Sequence, residues 1–145
     1  MIKRIALVVA ACALAGHALA AGNAEAGKAR SVACGACHGA DGNSLAPTSP
    51  KLAGQHASYL LKQLKDIKSG ARSVPTMAGQ LDAMSEQDLE DIAAYYAAQP
   101  ATTGVAKEEL VELGESVYRA GIRGRGVAAC SSCNSPAGAG NGPAK

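Results

Sequence analysis

The chain has 145 residues, of which 48% are hydrophobic and 18% charged, a composition that excludes both a disordered charged tail and a chain embedded throughout in a membrane. Its 14 Lys and Arg face 12 Asp and Glu, and the basic excess comes from Lys3 and Arg4 at the N-terminus, which argues against a generic nucleic-acid binder. The chain has four Tyr but no Phe and no Trp, so an ordinary core would lack the large aromatic rings that usually contribute most of the buried surface.

Residues 1–20 have the three parts of an export signal. Lys3 and Arg4 give the positive start, an apolar run extends from Ile5 to Gly16, and Ala18-Leu19-Ala20 is a small-x-small cleavage site. We therefore predict a mature, periplasmic chain that begins at Ala21. A retained membrane anchor is the alternative, but the apolar run falls well short of the roughly 20 residues that a span needs.

Cys12 offers another alternative, because Val9-Ala10-Ala11-Cys12 resembles a bacterial lipobox, with Val where Leu is usual. An N-terminus at Ala21 would exclude lipidation. Removal of the signal leaves two Cys-x-x-Cys pairs, Cys34 with Cys37 and Cys130 with Cys133. In an oxidising compartment such thiols become disulfides unless a metal or a covalent cofactor takes them.

The first pair lies where a predicted helix meets a predicted loop. The helix extends from Asn23, its N-cap, to Cys37. Residues 38–54 are rich in Gly and Pro among small polar residues, which indicates an irregular loop. An amphipathic helix follows from His56 to Ser69, with apolar residues at helical spacing, lysines on another face and Gly70 after its end.

A third helix is predicted from about Glu86 to Gln99. Ser85 is placed as its N-cap and Asp88 at the third helical position, which is a capping-box arrangement. Met84 is placed to pack against Leu89. Three helices therefore occupy the first two thirds of the chain.

The remainder repeats part of this pattern. Residues 99–106 indicate a linker, after which Leu113-Gly114-Glu115 leads towards the second cysteine pair as Ala26-Gly27-Lys28 leads to the first. We predict one helix near Glu108 to Ala120 and then a flexible, largely disordered appendage, because the Gly, Ala and Pro that follow bury little apolar surface. Residues 107–145 would form a truncated second repeat, dispensable for the first domain.

Cys34-Gly35-Ala36-Cys37-His38 is the attachment signature of c-type haem. Two thiols one helical turn apart can form thioethers on one haem edge, and His38 then reaches the iron. A four-cysteine zinc site is disfavoured, since 92 residues separate the pairs where about 15 to 20 are usual. A thioredoxin-like dithiol is disfavoured because no alternation of strands and helices surrounds the motif.

A haem that transfers electrons needs a second axial ligand. We predict Met77, which lies in an irregular segment with Pro75 and Gly79 near it, whereas Met84 has its own role beside a helix start. Simple core packing is the alternative for Met77. His56 is a rival ligand, but its place at the start of a lysine-rich helix favours a solvated or capping role.

The haem would also fill the core. A domain of about 78 residues, 21–98, is of a size at which an apolar core alone is marginal. The macrocycle supplies apolar bulk that the missing Phe and Trp do not. We expect the domain to fold poorly without it.

Three segments resemble the first domain of the dihaem cytochromes c4: residues 34–43 from Cys34 to Asn43, residues 50–55 from Pro50 to Gln55, and residues 88–96. The resemblance spans 22–99. It implies an all-α, class I cytochrome c fold with three main helices around a covalent haem, and periplasmic electron transfer. It also implies Cys34 and Cys37 as haem thioethers, His38 and Met77 as axial ligands, and Pro50 as the residue whose carbonyl accepts a hydrogen bond from His38.

The second half departs from that family. Cys130 and Cys133 are followed by Asn134, and an amide does not replace imidazole as a strong iron ligand. No Met or His follows. We therefore expect one haem, and a vestigial site whose cysteines oxidise to each other or to a second chain.

A His/Met haem has no open position for a substrate, so the predicted function is one-electron transfer between redox proteins, including membrane-bound respiratory complexes, and not catalysis. Membrane association is compatible with this role but not required. The alternatives are a haem sensor or peroxidase-like protein with a labile sixth ligand, and a non-functional truncated product. A basic stretch and an acidic stretch suggest either two solvated helix faces or a dipolar docking surface: Lys62, Lys65, Lys68 and Arg72 against Asp82, Glu86, Asp88, Glu90 and Asp91.

Overall fold

The computed structural model describes residues 22–140, so the predicted signal and Cys12 lie outside the described residues. Within that range the chain is helical, and an isolated antiparallel bridge joins Ile122 and Val127. The α-helices, in chain order, are α1 Ala24–Arg30, α2 Gly35–His38, α3 Ala57–Ser69, α4 Glu86–Ala97, α5 Glu108–Ala120 and α6 Ser131–Asn134. Short 3-10 turns are formed by Pro75–Met77 and Arg123–Arg125.

The helix predicted from 23 to 37 is two helices, which corrects that expectation. Asn23 is the N-cap as predicted, and its side chain accepts hydrogen bonds from two backbone amides of the first turn. α1 ends at Arg30, and the hydroxyl of its C-cap Ser31 donates back to the Gly27 carbonyl at 2.6 Å. A serine that bonds to its own preceding turn competes with helix continuation, so four residues of turn separate α1 from α2.

The core is built where α4 crosses the other two long helices of the first domain, α1 and α3. Gly27 makes the α1 crossing close, because a Cβ at that position would lie 1.9 Å from the Asp91 carbonyl oxygen. The Asp91 carboxylate in turn accepts a hydrogen bond from the Asn23 amide at 2.7 Å. The buried apolar cluster at this crossing consists of Leu60, Ile92, Ala93, Tyr95 and Tyr96.

α4 begins as the sequence predicts. Ser85 and Asp88 form the reciprocal capping box, and Met84 packs against the buried cluster. The hydrogen bond from Ser85 holds the pKa of the Asp88 carboxyl below its usual value, and Arg30 of α1 pairs with the same carboxylate at 2.7 Å. The start of α4 is therefore tied to the end of α1.

The linker is attached to the first domain at its N-terminal end. The Asn43 side chain accepts from the Thr102 amide at 2.8 Å and donates to the Pro100 carbonyl at 2.9 Å. Lys51 donates to the Thr102 hydroxyl at 2.7 Å. The loop that follows the first cysteine pair thus binds the segment that leads to the second.

The tail differs from its expectation. The helix predicted near 108–120 is α5, but regular structure continues after it through a bridge, a 3-10 turn and α6, where a largely disordered stretch was expected. Glycines make this geometry accessible, since Gly121 and Gly126 adopt left-handed φ values of 69° and 68° at the two ends of the Ile122–Val127 bridge. Local turns therefore organise a segment that buries almost no apolar surface.

No helix within residues 22–140 is long and apolar enough to cross a membrane.

Candidate haem site

His38 is the last residue of α2, and its side chain is buried, with 8% of its surface exposed. Its Nδ1 lies 2.8 Å from the Pro50 carbonyl oxygen. Because a carbonyl only accepts, Nδ1 carries the proton in this bond, and the lone pair is left on Nε2. This is the tautomer in which an imidazole binds a metal through Nε2, and the carbonyl fixes the plane of the ring.

The two thiols of the motif stand at opposite ends of one helical turn. Cys34 is the N-cap of α2 and is partly buried, and the Cys37 amide donates to the Cys34 carbonyl at 3.2 Å. Cys37 is exposed, and both are free thiols. Burial raises the pKa of the Cys34 thiol, so it is protonated at neutral pH.

The loop after α2 turns back on itself at glycines. Gly39 and Gly42 have φ values of 79° and 81°, which side chains rarely adopt. A Cβ on Gly42 would also lie 2.7 Å from the Tyr96 ring. The Gly42 carbonyl accepts from the amide of Leu52, and this closes the loop so that Pro50 reaches His38.

Two tyrosines of α4 support this loop, a role that was not predicted from the sequence. The Tyr95 hydroxyl donates to the Ala40 carbonyl at 2.8 Å. The Tyr96 side chain is 1% exposed, and its hydroxyl has no hydrogen-bond partner at bonding geometry among the described residues. Burial raises the pKa of Tyr96 to about 12, and the Cys34 thiol acts in the same direction. Two adjacent tyrosines on one helix, in a chain with four aromatic residues, could have indicated their place in the core.

Met77 ends the 3-10 turn and is partly buried. It lines a cleft of about 210 Å³ together with Ile67 and Leu81. His38 does not line this cleft. The structure brings His38 to Pro50 and Cys34 to the cluster of Tyr96, whereas Met77 lies on a separate loop. Met84 packs against the buried cluster of Leu60, Ile92, Ala93, Tyr95 and Tyr96, and its predicted contact with Leu89 stays a prediction; Met77 does not belong to that cluster.

His56 does not cap α3, which corrects one of its two predicted roles. Its backbone occupies the N-cap position of α3, but its side chain makes no capping hydrogen bond. Instead Nε2 lies 2.9 Å from the carbonyl oxygen of Ala139. The exposed imidazole therefore contacts the C-terminal tail.

The second cysteine pair has a different environment. Cys130 and Cys133 are exposed free thiols, so the predicted disulfide stays a prediction. The Asn134 side chain is exposed and donates to the Cys130 carbonyl at 3.0 Å, within its own turn. Residues 22–140 hold no group of three or more His, Cys, Asp and Glu that could bind a metal ion.

The residues around His38 fit a covalent haem. They supply two free thiols one helical turn apart, an imidazole whose Nε2 lone pair is free, and a loop closed at glycines against an aromatic ring. The residues around Asn134 supply only the thiols, because an amide replaces the imidazole. The chemistry of the donor set thus separates the two motifs.

Comparison with known proteins agrees with this geometry. The family model described as cytochrome c matches residues 24–98. The chain is 51% identical to cytochrome c4 of Pseudomonas aeruginosa over 97% of its own length and 70% of the relative's, and 48% identical to cytochrome c4 of Azotobacter vinelandii over 99% and 73%. The crystal structure of reduced recombinant cytochrome c4 from Pseudomonas stutzeri superposes with a TM-score of 0.78 at 51% identity, over 83% of this chain and 68% of that one.

The all-α cytochrome c fold expected from the sequence is therefore confirmed, and a c-type cytochrome involved in electron transfer is the function that these relatives indicate. The family binds its haem covalently. By the family model, the identity over nearly its whole length and the shared fold, the chain belongs to the cytochrome c4 family of c-type cytochromes.

Proposed function

We propose that this protein is a periplasmic one-electron carrier with a single covalent haem c, attached at Cys34 and Cys37 and ligated by His38. The observation that carries the proposal is the burial of His38 with its Nδ1 held by the Pro50 carbonyl at 2.8 Å. Among the described residues only Nδ1 of this ring is hydrogen-bonded, which leaves Nε2 able to bind a metal. Haem c, when bound, supplies an iron that gains and loses one electron reversibly.

The chain's own residues would set the properties of that iron. Met77 would supply a thioether to the same iron, and this would favour the reduced state and leave no coordination position for a substrate. Tyr96 is almost fully buried and belongs to the cluster on which Cys34 packs, so it keeps water from the inner side of the attachment turn. The Pro50 carbonyl, which accepts a hydrogen bond from His38 Nδ1, would fix the plane of the imidazole towards the iron.

The proposal of one haem rests on residue 134. Asn134 donates to the Cys130 carbonyl, so its amide is engaged with its own helix. The described part of the tail contains no histidine, so it has no counterpart of the bond between His38 and the Pro50 carbonyl. The whole second site thus lacks the group that would hold the iron.

The charge pattern gives little support to a dipolar docking surface. Lys65 pairs with Glu86 at 2.5 Å, and Lys62 pairs with Asp66 within α3. The basic and acidic stretches therefore neutralise each other in part on the molecule itself. We propose redox proteins as partners, with membrane-bound respiratory complexes among them, and assign no charge to the surface that receives them.

The test is production of the full chain in a host that exports and attaches c-type haem. Intact mass should show cleavage before Ala21 and one haem addition, the ferric spectrum should be low-spin, and voltammetry should show one reversible one-electron couple. A high-spin spectrum with rapid binding of carbon monoxide would instead identify the sensor or peroxidase alternative. Export without haem would identify a non-functional product.

A further inference from the structure

The carbonyl of Pro50 lies on a loop with an outgoing limb, residues 39–43, and a returning limb, residues 50–54. The two limbs are joined where the Gly42 carbonyl accepts from the Leu52 amide at 2.8 Å. Pro50 lies two residues before this junction, at the start of the returning limb. The direction of its carbonyl therefore depends on what holds the two limbs together.

One linker side chain bonds to both limbs of this loop. The Thr102 hydroxyl donates to Asn43 Oδ1 at 2.9 Å and accepts from Lys51 Nζ at 2.7 Å. Asn43 follows Gly42 on the outgoing limb, and Lys51 follows Pro50 on the returning limb. Because a hydroxyl can donate and accept at the same time, this one group joins the two limbs next to the junction between them.

The backbone of the linker is held at the same place. The Thr102 amide donates to Asn43 Oδ1 at 2.8 Å. Asp41 accepts from the backbone and the side-chain nitrogen of Asn43, at 3.0 and 2.9 Å, and this orients the side-chain amide with its oxygen towards Thr102. A Cβ on Gly54 would lie 2.9 Å from the Ala101 side chain, so the linker also passes close to the end of the returning limb.

Given the proposed ligation of haem iron by His38, we propose that Thr102 is a positioning residue for this imidazole and acts through the Lys51 side chain. The Pro50 carbonyl and the Lys51 amide belong to one planar peptide unit. The Lys51 side chain is tied to the linker, and the next residue, Leu52, is tied to the outgoing limb. That peptide unit is therefore restrained on the side that faces His38, and the linker is coupled to the orientation of the haem ligand.

Thr102→Val and Thr102→Ser test the proposal in the full-length, haem-loaded protein. Valine keeps the shape of threonine without its hydroxyl, whereas serine keeps the hydroxyl. In Thr102→Val the Leu52 amide should exchange its hydrogen roughly three- to tenfold faster, as expected for the loss of one hydrogen bond. The NMR shifts of the haem methyl groups, which report the plane of an axial imidazole in the ferric state, should move in the same variant. Thr102→Ser should restore both.

Thr103→Val is the matched control, because Thr103 is the next linker residue, is exposed and has no side-chain hydrogen bond to the loop within residues 22–140. It should change neither measurement. Lys51→Met also removes the 3.3 Å bond from Lys51 Nζ to the Thr102 carbonyl, so it should move the methyl signals further. Thr102→Val should then add less to Lys51→Met than it changes alone, because the two residues act through a shared bond.

Faster exchange of the Leu52 amide without a change in the methyl signals would show a merely structural role for Thr102 and would overturn the proposal. An equal effect of Thr103→Val, or failure of Thr102→Ser to restore the signals, would overturn it too. Haem content and the optical spectrum of the unaltered chain report separately on the proposed function. A haem-loaded chain in which Thr102→Val changes nothing overturns the coupling alone.

Discussion

The two Cys-x-x-Cys turns of this chain have nearly the same backbone. In the first turn the Cys34 carbonyl accepts from the amides of Cys37 at 3.2 Å and His38 at 3.0 Å. In the second turn the Cys130 carbonyl accepts from the amides of Cys133 at 3.3 Å and Asn134 at 3.0 Å. Each turn is followed by a residue with positive φ and extended ψ, Gly39 at 79° and 148° and Ser135 at 65° and 163°. The short helix is therefore a property of the local sequence.

The surroundings of the two turns differ. His38 is buried against a carbonyl supplied by a loop twelve residues away, whereas Asn134 is exposed and bonds within its own turn. The first turn rests on Tyr95 and Tyr96 of α4, and the described part of the tail has no helix in that place. The same backbone turn therefore does not make a metal site by itself, because the ligand must also be oriented by neighbouring residues such as Pro50.

The largest expected effect comes from exchanging the fifth residue of the two motifs. His38→Asn should abolish covalent haem, because it removes the only imidazole beside a thiol pair in residues 22–140. Asn134→His restores the attachment sequence and should allow a second haem to be attached, but its imidazole would lack, among the described residues, a counterpart of the Pro50 carbonyl. Intact mass and the optical spectrum check both. Retention of haem in His38→Asn would contradict the assignment of the site.

Met77→Ala should convert the haem from six-coordinate to five-coordinate or water-ligated. We expect loss of the sulfur-to-iron charge-transfer band and a lower reduction potential, because the thioether favours the reduced iron. Met84→Ala is the control: it should reduce stability by about 2 to 5 kcal/mol, since Met84 packs on the core, but keep the band. The reverse result would assign the ligand to Met84.

Gly27→Ala and Gly114→Ala compare the corresponding glycines of α1, which α4 crosses closely, and of α5, where nothing lies within 4 Å of the new Cβ. The first should destabilise the haem domain by about 3 kcal/mol or more, because the new Cβ would overlap the Asp91 backbone and the helices must separate. The second, measured on dilute protein, should leave the domain unchanged and strengthen α5 by up to about 1 kcal/mol, through helix propensity. Thermal unfolding of both variants is the measurement. Equal destabilisation would mean that α5 already has a partner helix within the monomer.

Tyr95 and Tyr96 are adjacent, but among the described residues only the Tyr95 hydroxyl makes a hydrogen bond. Tyr96 has its pKa raised to about 12, so the unfolded chain loses this proton at lower pH than the folded protein. Its contribution to stability is complete below about pH 10 and is lost as pH rises towards 12.

Tyr96→Phe should therefore flatten the decline of unfolding free energy in that pH window. Tyr95→Phe should reduce stability at neutral pH by about 1 kcal/mol, because the bond to the Ala40 carbonyl is lost. Denaturant titrations at several pH values separate the two. A steeper decline in Tyr96→Phe would show that its hydroxyl gains a partner in the loaded protein.

The sequence predicted the parts of this fold that depend on neighbouring residues. The Asn23 cap, the capping box of Ser85 and Asp88, and α5 follow from spacing within one helix, and all are present. The Pro50 carbonyl was predicted only through resemblance to a family, because a bond across twelve residues leaves no local pattern.

What the sequence did not predict depends on residues far apart in the chain or on backbone geometry. The break between α1 and α2 comes from a serine that bonds back to Gly27, in a stretch that reads as a continuous helix. The attachment of the linker to Asn43 and of the tail to His56 joins residues 57 or more positions apart. The supporting role of Tyr96 requires a glycine loop folded against it, which spacing does not reveal.

The smallest expected effect lies at Ser135, the one described residue other than glycine with positive φ. Its φ of 65° and ψ of 163° correspond to a region that glycine occupies with ease and that strains a side chain by about 1 to 3 kcal/mol. Ser135→Gly should therefore increase the protection of the α6 amides against hydrogen exchange without changing the thermal stability of the haem domain. Ser132→Gly, inside α6, is the matched control and should lower that protection, because glycine weakens a helix interior by about 1 kcal/mol. If both variants lower protection alike, the turn after Asn134 differs from the turn after His38, and the two motifs do not share the same backbone.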